Sequence, residues 1–189
     1  MGRLMTLRGA EPIEIGTKTD FGASGEHRIF AYESPDRTKG WRVIRAYFWI
    51  QDTIQEAGGD SRSTVSASLS TDTLGDIDIT TRDLASEWLN RMGAGDNRTI
   101  GWVQQDYQNR ENADSDMIFG TSGMRQQAEF ICDADRIVTN ELWIQTFGAT
   151  ETTTINTTFN YYIELEEMKI SPSQSVFQQI KGIGQDIGN

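Results

Sequence analysis

The clearest alternation of apolar and polar positions lies at residues 157–170. Phe159, Tyr161, Ile163 and Leu165 alternate there with Asn160, Tyr162, Glu164 and Glu166. Successive side chains on a strand point to opposite faces, so this segment predicts a long strand with one apolar and one mostly polar face. Beyond Leu165 the phase slips to Met168 and Ile170. One extra residue, as in a β-bulge, would produce that slip. Residues 40–50 form the second strong segment, with Trp41, Val43, Tyr47 and Trp49 on one parity and Ile44, Ala46, Phe48 and Ile50 on the other. Apolar residues on both parities predict a strand buried on both sides. At 63–70, Val65, Ala67 and Leu69 alternate with Thr64, Ser66 and Ser68, which predicts a strand with a solvent-facing side of small residues.

Shorter strands are predicted at 97–105, 117–119 and 126–132, and an apolar stretch at 136–147 leads through a Thr-rich run into the last strand. One embedded helix is expected where Leu84, Ala85, Trp88, Leu89 and Met92 recur at helical spacing after Thr80 or Thr81, with Gly93 as its stop. After the final strand, Ser171 with Gln174 is a capping box, and Pro172 suits the first helical position. The short helix this begins carries Val176, Phe177 and Ile180 as an apolar stripe. Gly182 and Gly184 are expected to end or fray it, leaving Ile183 and Ile187 in a tail. Residues 1–39, with short apolar runs broken by Gly9, Gly16, Gly22 and Gly25, read as an N-terminal arm lying outside the domain or on a neighbour, or as plain loop. The expected architecture is mostly β: an antiparallel β-sandwich or jelly-roll barrel over 40–170, one embedded helix, and a C-terminal amphipathic helix and tail over 171–189.

Composition narrows the chemistry. A chain of 189 residues, 37% hydrophobic with five Trp, can bury a real core. Its formal net charge of −11 opposes phosphate binding by counterion release, so no direct nucleic-acid contact is expected. Cys132 is the single cysteine, which excludes an internal disulfide and a cysteine zinc site; its setting suggests a buried small hydrophobe. Residues 1–8 lack the apolar core of a signal peptide, and no apolar run approaches the ~20 residues that span a bilayer. The single histidine, His27, sits in a Gly-rich setting that offers no triad partners and reads as a surface residue.

Acidic pairs are the remaining groups with possible chemistry. Asp114 with Asp116, and Asp76 with Asp78, could offer oxygen ligands to Ca²⁺, but both lack the glycine and distal glutamate of an EF-hand loop and read first as solvated loops. Glu164, Glu166 and Glu167 read as the polar face of the last strand rather than a glycosidase pair. The glycines at 182–188 follow a helix rather than linking strand to helix, so they do not form a dinucleotide loop. No cofactor and no enzymatic activity are expected. The Val176, Phe177, Ile180, Ile183 and Ile187 stripe has two readings: a helix docked on its own domain, or an element packing on a neighbouring subunit.

In its strand order and its Thr-rich approach to the 160–166 segment, the chain resembles the single jelly-roll capsid proteins of icosahedral viruses. That resemblance implies a self-associating virion subunit, made in a host cytoplasm, whose termini bridge copies of itself and other virion proteins. The chain departs from small RNA-virus capsid proteins in lacking an Arg-rich N-terminal arm, so another component would handle the genome. The alternative is a carbohydrate- or receptor-binding sandwich with Trp102, Tyr107 or Trp143 as stacking platforms.

Overall fold

The computed structural model describes residues 2–17, 25–32, 38–50, 61–72, 97–109, 128–150 and 155–186. In chain order these form β1 (Leu4–Thr17), β2 (Gly25–Ala31), β3 (Lys39–Ile50), β4 (Ser61–Ser70), β5 (Thr99–Asn109), β6 (Ala128–Glu129), β7 (Ile131–Cys132), β8 (Glu141–Thr150), β9 (Ile155–Lys169) and α1 (Pro172–Asp186). The embedded helix expected at 81–92 and the strand at 117–119 lie outside the described residues, as do Asp76, Asp78, Asp114 and Asp116.

Antiparallel pairing is nested: β1 with β9, β2 with β8, β3 with β6, and β4 with β5. The outermost strands pair together and the innermost pair together, as in one long hairpin wrapped upon itself. This is the jelly roll, with β1, β9, β3 and β6 in sheet one and β2, β8, β4, β5 and β7 in sheet two. At one corner β6 and β7 act as a single strand interrupted at Phe130, which leaves β3 and joins β5. At the other corner the end of β1 turns from β9 to lie parallel to β8 at Gly16 and Thr17.

Residues 4–17 and 25–31 are therefore not an outlying arm. β1 is paired with β9 from Leu4 to Ile15, and β2 with β8 from Gly25 to Ala31. Their apolar pattern is weak because the inward row of β1 includes Gly9 and Glu11. Gly9 lies opposite Tyr161, whose phenol ring occupies the space a Cβ at residue 9 would need.

The core lies between the sheets, built on Phe48, Phe159, Leu69, Ile144, Ile163 and Leu165. β3 does not bury two faces. Its register against β9 steps from Val43 opposite Leu165 to Arg45 opposite Glu164, leaving Ile44 as an extra residue. The inward parity changes there, from Trp41 and Val43 to Ala46, Phe48 and Ile50, while Tyr47 and Trp49 face outward. The bulge expected in the last strand is thus located opposite it, on β3. In β4, residues Val65 to Ser70 are all buried, so Ser66 and Ser68 do not face solvent as expected.

Candidate functional site

The surfaces of interest are the outer face of sheet one, the outer face of sheet two, and α1. On sheet one the even positions of β1 from Leu4 to Pro12 and of β9 from Thr158 to Glu166 point outward together with Arg42, Arg45, Tyr47 and Trp49 of β3. Arg42 Nη2 donates to Glu166 Oε2 at 2.7 Å, and the Tyr162 hydroxyl donates to Glu164 Oε1 at 3.1 Å. The Tyr47 and Tyr162 rings lie side by side, 6.4 Å between centroids. Ile44, pushed out by the bulge, is 42% exposed. The glutamates expected as the polar face of the last strand have that role: Glu164 and Glu166 bond on this face, and Glu167 pairs with Lys39 at 2.7 Å near the root of α1.

Sheet two carries the tryptophans that suggested glycan stacking. Trp143 donates its indole N–H to Glu141 Oε2 at 2.9 Å, and the Arg28 guanidinium stands 6.0 Å over its ring. Arg28 is itself held by Glu141 at 2.9 Å. The ring face and polar tip of Trp143 are thus already engaged by this chain. Trp102 is half-buried beside the exposed Ile131 of β7, its cross-strand partner. The same row crosses Ser68 and Gln145, whose buried side chains have no hydrogen-bond partner among the described residues. The backbone of Tyr107 lies in β5, opposite Ser63.

His27 is half-buried in β2 rather than on the open surface, with Nδ1 3.6 Å from Glu11 Oε2 across the corner between the sheets. Glu11 also raises the Tyr161 phenol above its ordinary pKa, after burial, the larger cause. Cys132 is half-buried on β7; burial first, and the charge of Glu129 second, push its thiol up to about 11. Among the described residues no group of three or more His, Cys, Asp or Glu is placed to hold a metal ion.

The capping box at the start of α1 is formed in both directions. The Gln174 backbone N–H donates to Ser171 Oγ at 3.2 Å, and the Ser171 N–H donates to Gln174 Oε1 at 2.9 Å. The helix does not stop at Gly182 or Gly184 but continues to Asp186. Val176, Phe177 and Ile180 are 41%, 57% and 57% exposed, whereas Ser175 is buried. Ile183 belongs to the helix and Ile187 lies outside the described residues.

No family model matches the chain, and no curated protein matches its sequence. Among solved structures the chain is similar to a chain of the semi-empty virus-like particle of giant freshwater prawn (Macrobrachium rosenbergii) nodavirus, with TM-score 0.44 and 8% identity over 90% of this chain and 86% of that one. It is similar to chimpanzee polyomavirus VP1, with TM-score 0.44 and 8% identity over 89% and 95%. Tobacco necrosis virus gives TM-score 0.37 and 12% identity over 91% and 100%. The jelly-roll assignment rests on this chain's own strand order. Among the described residues, no helix is long and apolar enough to cross a membrane.

Proposed function

We propose that this protein is a non-enzymatic, self-assembling subunit of a virion shell, and that α1 bridges each copy to a neighbour. The observation that carries the proposal is the exposed apolar stripe of α1. A lone helix shorter than ~12–15 residues is marginal in water, and α1 has 15 with two glycines inside it, each costing about 1 kcal/mol relative to alanine. Such a helix gains from packing on its apolar face, and Val176 and Ile180, 41% and 57% exposed, leave apolar area there for a partner to cover. A neighbouring copy would supply that packing. The N-terminal segment has no comparable role, because β1 is committed to its own sheet. With a net charge of −11, the chain leaves the genome to another virion component. On this reading it is made in the host cytoplasm and resides in the virion with copies of itself and other virion proteins. The glycan-binding alternative is less well supported, because Arg28 and Glu141 already engage Trp143.

The test is light scattering over a range of protein and salt concentrations. It compares the full-length protein, a full-length Val176→Ser/Ile180→Ser variant and a chain ending at Ile170. Large assemblies formed by the first and lost in both others are expected. A full-length protein that stays monomeric throughout would refute the assembly role and make glycan screening the next step.

A further inference from the structure

We draw no further inference here: the strongest candidate, the buried Ser68 and Gln145 side chains on the outer face of sheet two, carries nothing because nothing among the described residues shows what covers it.

Discussion

Deleting Ile44 tests how sheet one is built. Val43 faces Leu165 and Arg45 faces Glu164, so the bulge is the single place where β3 changes its inward parity. Without Ile44, one half of the strand must turn over. Turning out the 46–50 half would expose Ala46, Phe48 and Ile50, so the 39–43 half would yield. Trp41 and Val43, 3% and 6% exposed, would move to solvent and Arg42 would point at the core. Losing a buried valine costs about 1.5–3 kcal/mol and a buried tryptophan about 3–5, a sum of about 5–8 before Arg42 is counted. Domains of this kind have about 5–15 kcal/mol in total. The control is Ile44→Ala, which keeps the bulge and trims a residue already 42% exposed, at under about 1 kcal/mol. Urea unfolding followed by circular dichroism should show a near-normal transition for the control and a collapsed or non-cooperative one for the deletion. A deletion within about 1 kcal/mol of the control would refute the claim that the bulge sets the parity.

Two further outcomes follow from single sites. Gly9→Ala would drive a methyl group into the Tyr161 phenol and should cost about 1–3 kcal/mol, with part of the loss recovered in Gly9→Ala/Tyr161→Phe because the hydroxyl is the nearest atom; thermal melts of the three variants check this, and additive losses would count against it. The Cys132 thiol, ordinarily near 9.0, is pushed up to about 11 chiefly by burial, so the folded state holds its proton more tightly and this contribution to stability is present below pH 9 and lost between 9 and 11. About one thiol in a thousand is then ionised at pH 8, and its rate with a disulfide reagent should keep climbing past pH 10 where glutathione has levelled off; a plateau by pH 9 would contradict the buried setting.

The long strands and the capping box were legible because each is written in a local period: Phe159 to Leu165 by twos, Ser171 to Gln174 by a three-residue reach. β3 misled for a definite reason. Two one-faced half-patterns joined at a bulge superpose into a strand that looks apolar on both faces. β1 was illegible because its inward row holds Gly9, where a ring from the next strand takes the space, and Glu11, which meets His27 at the corner. Local pattern carries no trace of such long-range partners. β4 shows the same limit in reverse: Ser66 and Ser68 read as solvent-facing because they are polar, yet both are buried. Alternation separates the two faces of a strand but does not report what covers the second one.

The same limit applied to the apolar stripe of α1, whose sequence suits docking on its own domain or on a neighbour. Two structural facts support the proposed docking on a neighbour. Over residues 4–13, β1 pairs among the described residues with β9 alone, and its other edge carries Arg8 and Pro12, a charge and a missing donor that discourage strand addition by another chain. In the proposed assembly, association is thereby steered away from this edge. The helix, in turn, has an N-terminal cap and leaves Val176 and Ile180 41% and 57% exposed. In the proposed assembly its packing and the joining of two copies are one equilibrium, so conditions that raise assembly should raise helical order in residues 172–186 in step, with the barrel unchanged.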